Sequence, residues 1–217
     1  MDSDAAAMLR DRMLDAAEAV VVRHGIANLT FEAVAAEAGM SKGGLLHYFP
    51  TKDRLIEALV TRCAEGWRKC VFQSLEQTPE GYGRMAKALL RSLADTEGWT
   101  EQCQRSSAAS FVALAQNPRL IEPMRVVYNE LRAELAKDGL GAGIGETVLV
   151  AMDGLWLNRV LGLAPVDRER INRIRLALDA LITLAQETDN RAMLGENKKR
   201  AATRQGSRRA PRARRSS

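Results

Sequence analysis

The sequence predicts an all-α fold of about nine helices, and three observations carry that prediction. Proline and glycine divide the 217 residues into segments of helical length. No stretch sustains the period-two alternation of a half-buried strand. Each segment instead repeats apolar residues at three- and four-residue spacing, which gathers them on one helix face. At 46% hydrophobic content the chain has enough apolar side chain for one core or two small ones.

Taken in order, residues 8 to 24 place Leu9, Met13, Ala16, Ala17, Val20 and Val21 on one stripe, and Gly25 follows His24 as a stop. Thr30 is placed to cap a short helix in which Phe31, Val34, Ala35 and Ala38 share a face, ended by Gly39. Ser41 caps the next, from Lys42 to Phe49, and Pro50 closes it because the residue before a proline is pushed out of the α region. Thr51 caps a long helix with Asp53 in its first turn, and Leu55, Leu59, Cys63, Trp67, Cys70 and Val71 carry its pattern to about Gln77. Segments 80 to 95, 101 to 116, 119 to 137, 146 to 163 and 168 to 187 follow. Gly98, Asn117-Pro118, Asp138-Gly139 and Ala164-Pro165 separate them.

Charge is unevenly placed. The formal net charge is +5, but residues 191 to 217 hold ten Lys/Arg and one Glu, leaving 22 basic against 26 acidic residues before them. That tail lacks aromatic residues and has few apolar ones, so it is expected to be disordered. A solubilising extension and a non-specific phosphate binder both fit it. The N-terminus MDSDAAAMLR is acidic where a secretory signal is basic, and no apolar run approaches the ~20 residues of a membrane span, so a cytoplasmic protein is expected. Cys63, Cys70 and Cys103 suit a reducing compartment and read as small core residues, with a cysteine-based redox sensor as the sharper alternative. His24 and His47 are the only histidines, without metal spacing, and neither a glycine-rich phosphate loop nor a nucleophile elbow is present. No catalytic residue, cofactor or metal site is therefore expected.

The stretch MSKGGLLHYFPTKDRL raises a sharper question. Gly43 and Gly44 each cost a helix ~1 kcal/mol relative to alanine, in a segment too short to spare it. The two short helices joined through Gly39 have the lengths of a helix-turn-helix. The residue order RMLDAAEAVVVRHGIANLTFEAVAAEAGMSKGGLLHYFPTKDRLIEALV, residues 12 to 60, closely resembles the N-terminal DNA-binding domain of the TetR (tetracycline repressor) family of bacterial transcription regulators. The resemblance covers about 50 residues; beyond them it is one of size and helix pattern.

That resemblance implies a DNA-binding domain over 1–55, a helical effector-binding and dimerisation domain over 56–190, and a basic tail over 191–217. It puts Thr30, Lys42, Gly43, Gly44, Leu46, His47, Tyr48 and Lys52 at positions where family members meet double-stranded DNA. The chemistry agrees: a helix N-terminus and two lysines suit phosphates, and bare glycines let backbone approach a groove wall. Leu46 stands where the family often has Tyr, and Gly44 where a longer side chain is common, so direct base readout is expected to be thin.

The resemblance further implies a homodimer released from its operator by a small-molecule effector. Trp67, Phe72, Met85, Trp99, Phe111, Met124, Tyr128, Met152 and Trp156 are candidates to line the effector pocket, with ordinary core packing as the other reading. Leu155, Trp156, Leu178 and Ile182, on the two most apolar faces, are candidates for the dimer interface, although packing within one chain gives the same stripe. Those faces also fit a helical protein-interaction module. Asp153 and Arg159 interrupt an otherwise apolar helix; pairing across a dimer, orienting a ligand and facing solvent all suit that position.

Overall fold

The computed structural model describes residues 3–94, 117–141 and 143–208, and every regular element among them is helical. Eight α-helices are seen there: α1 Ser3–His24, α2 Phe31–Ala38, α3 Lys42–Tyr48, α4 Lys52–Glu76, α5 Arg84–Ala94, α6 Glu122–Leu135, α7 Ile144–Val160 and α8 Arg168–Arg208. The helix expected over 101 to 116, with Cys103, Trp99 and Phe111, lies outside the described residues.

The three caps form as the sequence suggests. Thr30, Ser41 and Thr51 each accept a backbone N–H three residues on, from Ala33, Gly44 and Arg54. Gly39 ends α2 in the left-handed region at φ 66°, where its missing Cβ removes the strain. The element expected from residue 80 begins only at Arg84, because Gly81 and Gly83 hold positive φ and break the first turn. Its N-terminus is capped from far along the chain: the buried Asp138 carboxylate accepts from the N–H groups of Met85 and Ala86 at 2.6 and 2.7 Å. A 3-10 turn, Pro118–Ile121, precedes α6, which therefore starts at Glu122 rather than 119.

Two apolar clusters make the core. One joins Met13, Leu14, Ala17 and Val20 of α1 to Leu29, Val34, Leu45, Phe49 and the first turns of α4 through Val60, with Leu120 closing it. The other packs α4 from Ala64 onward against α5, α6, α7 and α8. A single unbroken helix, α4, runs through both. At 1.5 Å per residue its 25 residues span about 37 Å.

Three expectations are corrected. Residues 191–208, expected to be disordered, continue α8; Arg, Ala, Lys, Gln and Glu are strong helix formers, and Glu187 meets Arg191 one turn on at 3.7 Å. Cys70, expected in the core, is exposed, and Cys63 is half-buried; neither forms a disulfide. Leu155, Leu178 and Ile182, expected at a dimer interface, are at most 8% exposed in one chain and belong to its own core. Their place on the outer surface is taken by Val150 and Leu157 of α7, by Leu161 just past its end, and by Leu176 and Leu184 of α8.

Candidate functional site

Helix α3 is fastened from one side only. Leu45 is fully buried and Phe49 nearly so, and these two apolar anchors seat the helix in the cluster shared with α1, α2 and the first turns of α4. The opposite side carries Lys42, Gly43 and His47 to the surface, with Gly44, Leu46 and Tyr48 half-buried between. Tyr48 lies against the cluster while its ring meets that of His47 edge-on, centroids 5.6 Å apart. Thr30 is exposed at the start of α2, and Lys52 is half-buried at the start of α4. The eight residues singled out in the sequence thus sit on or beside the paired short helices α2 and α3 and the start of α4.

The glycines differ. A Cβ at Gly44 would lie 3.3 Å from the Ser41 hydroxyl and press on the cap, whereas one at Gly43 would meet nothing within 4 Å. Nothing among the described residues excludes a side chain at Gly43.

Lys42 is already engaged. Its Nζ stands 2.5 Å from Glu32 Oε1 across the helix pair, and that hydrogen bond holds the Glu32 carboxyl below the usual range. A lysine meeting phosphate there must leave or share this partner. Arg10, which the sequence reading passed over, stands above the Phe49 ring at 5.6 Å. With Tyr48, Pro50, Thr51 and Arg54 it borders an open hollow of about 430 Å³ beside α3. Only the fold brings α1 to that edge, so spacing along the chain gave no sign of it.

In the body, the candidate effector residues separate into two kinds. Met85 and Met152 are at most 5% exposed and pack in the second apolar cluster. Trp67, Phe72, Met124, Tyr128 and Trp156 are half-buried. Arg68 stacks on Phe72 at 4.6 Å and forms a two-pronged pair with Glu130, both contacts at 2.6 Å. Trp67 and Tyr128 lie 5.0 Å apart between centroids, and the Tyr128 hydroxyl donates to Asp153. The basic extension of α8 lies apart from all of this: Asp189 accepts from Tyr82 beyond the far end of α4, so residues after it start a helix length away from Lys52.

Comparison with known proteins fits this division. Residues 13–59 match the family of bacterial regulatory proteins called tetR, and residues 83–183 match the Tetracyclin repressor-like C-terminal domain. The HTH-type transcriptional regulator BetI of Escherichia coli (strain K12 / DH10B) is 30% identical, over 76% of this chain and 89% of BetI. The chain belongs to the TetR family. As a TetR-family protein it is a DNA-binding transcriptional regulator, and α2 and α3 are its helix-turn-helix.

Solved TetR-like structures share the all-α fold. The multidrug binding protein EbrR complexed with malachite green is 26% identical, with a TM-score of 0.62, over 78% of this chain and 96% of that one. A TetR-family member from Streptomyces coelicolor A3 is also 26% identical, with a TM-score of 0.61, over 78% of this chain and 97% of that one. Among the described residues of this TetR-family regulator no helix is long and apolar enough to cross a membrane.

Proposed function

We propose that the protein is a homodimeric repressor that holds a roughly palindromic operator with α3 of each copy and lets go when a small molecule binds the body. The observation that carries this reading is Gly43. It costs helix stability in a seven-residue helix, no neighbour among the described residues requires it, and it lies between Lys42 and His47 on the exposed side. A groove wall supplies the missing constraint. In this reading Lys42, Lys52, Arg10 and the Thr30 helix start position the duplex through phosphates, while His47, Tyr48 and Leu46 approach the bases. Residues 1–55 form the reading head and 56–190 the effector-binding and dimerising body.

The outer stripe of α7, with Val150 and Leu157 and, at its C-cap, Leu161, at seven- and four-residue spacing, runs through Gly154, beside which a Cβ would meet nothing within 4 Å. Two copies packing these stripes together with Leu176 and Leu184 of α8 would form a four-helix interface. EbrR, whose structures hold imidazole, malachite green or ethidium, supports a small-molecule site in the body.

Selecting DNA fragments from a random pool with the purified protein tests this reading. Enriched sequences should carry two inverted half-sites about one helical turn apart. Absence of enrichment, or a consensus lacking two-fold symmetry, would overturn it.

A further inference from the structure

The body contains one carboxylate in an unusual setting. Asp153 lies on α7 between buried Met152 and half-buried Gly154, and its Oδ1 accepts from the Tyr128 hydroxyl of α6. Burial pushes the Asp153 carboxyl up from its ordinary range, against the lowering effects of Tyr128 and of Arg132. Burial and the Asp153 hydrogen bond also push the Tyr128 phenol up, so it stays a neutral donor. Arg132, one turn along α6, is exposed and acts on both groups through space. Among the described residues the carboxylate's hydrogen bond thus comes from a phenol that carries no charge, while the cation that acts on it through space, Arg132, stands at the surface.

Aromatic surface stands beside it. Trp67 of α4 and Tyr128 pack at 5.0 Å with their planes inclined by 47°, and both residues are half-buried. Aromatic faces attract cations through their quadrupole, and a desolvated carboxylate adds a full opposite charge. An anion is repelled by this pairing. A neutral apolar molecule would desolvate the carboxylate further and give nothing in return.

We propose that Trp67, Tyr128 and Asp153 form the recognition centre of the effector site and that the effector is an organic cation, with rings or alkyl groups against the two aromatics and its charge on Asp153. This rests on reading the chain as an effector-controlled regulator and adds the ligand's chemical class. It also gives the ligand direct contact with α4, the helix that begins at the reading head.

Ethidium, titrated by fluorescence into the DNA-free full-length protein, is the probe, with anilinonaphthalene sulfonate as the anionic counterpart. The wild-type chain should bind ethidium saturably and the sulfonate much more weakly at this site, judged by competition. Asp153→Asn keeps the shape and the acceptor but removes the charge, and should weaken ethidium by at least about tenfold. Tyr128→Phe keeps both ring and carboxylate and should change it far less. Trp67→Leu, at a half-buried position, supplies a second loss should the Asn variant fold poorly, and far-ultraviolet circular dichroism checks each variant. Ethidium affinity unchanged in Asp153→Asn, equal competition by the sulfonate, or no binding to the wild-type chain would each overturn the proposal. Binding to a selected operator, measured separately without ethidium, tells the two readings apart: operator binding without cation binding removes only the ligand class, whereas failure to select any operator removes the regulator reading itself.

Discussion

Replacing Arg62 with alanine should destabilise the protein by about 3–5 kcal/mol, the usual cost of stranding one partner of a buried ion pair. Arg62 lies on α4, and its Nη2 meets Glu18 Oε1 of α1 at 2.6 Å, with Glu18 only 1% exposed. Its Nη1 donates to Asp15 Oδ1 at 2.7 Å, but Asp15 is 60% exposed and solvent screens that contact. The burial contrast assigns the effect. Asp15→Ala should cost no more than about 1 kcal/mol, whereas Arg62→Ala takes away the guanidinium that meets the buried Glu18 carboxylate between α1 and α4. Combining Glu18→Gln with Arg62→Ala removes both charges of this pair, so the double variant should lose less than the sum of the two single losses. Urea unfolding followed by circular dichroism near neutral pH, at one fixed protein concentration, measures all four. A loss below about 1 kcal/mol in Arg62→Ala, or strictly additive losses, would refute the assignment of this pair as the clamp between the two helices.

Gly43→Ala should stabilise the protein by about 0.5–1 kcal/mol in thermal unfolding and yet weaken operator binding in a mobility shift; equal or tighter binding would take Gly43 out of the interface. Glu32→Gln should leave the melting temperature unchanged and raise affinity for operator and random DNA alike, most at low salt, because Lys42 no longer has a competing partner. Because burial raises the Asp153 pKa, the folded state takes up the proton more readily than the unfolded chain, so stability falls as pH rises through the folded value. Asp153→Asn should therefore unfold at higher temperature than the wild-type chain at pH 8, with the gap closing as pH is lowered; a gap that widens on acidification would contradict this. Leu157→Glu combined with Leu184→Glu, both exposed in the single chain, should yield folded monomers by sedimentation; an intact dimer would place the interface elsewhere.

Much of the reading head was legible because its signals are local. A threonine or serine oxygen reaches the N–H three residues on whatever the rest of the chain does, so Thr30, Ser41 and Thr51 marked three helix starts. The body was less legible where α7 is apolar on every side. Val148, Leu149, Met152 and Leu155 face inward while Val150, Leu157 and Leu161 face out, so periodicity does not say which stripe meets a second copy. Contacts between distant parts of the chain left no trace in spacing. Arg62 finds Glu18, Asp138 caps α5, and Arg10 reaches the edge of α3 only once the helices have packed.

The unbroken length of α4 turns angle into distance. Trp67 follows Lys52 by fifteen residues on one rod, which is about 22 Å at 1.5 Å per residue. A tilt of about 5° pivoting at the level of Trp67 therefore swings the start of α4 by about 2 Å. In the proposed two-fold pair the heads would move in opposite senses, so their separation would change by about 4 Å against a half-site repeat of about 34 Å. One strand of phosphates can follow such a shift; two fixed half-sites on a stiff duplex cannot both do so. In the proposed dimeric repressor, a displacement of this size would be enough to break the register between the protein and its DNA.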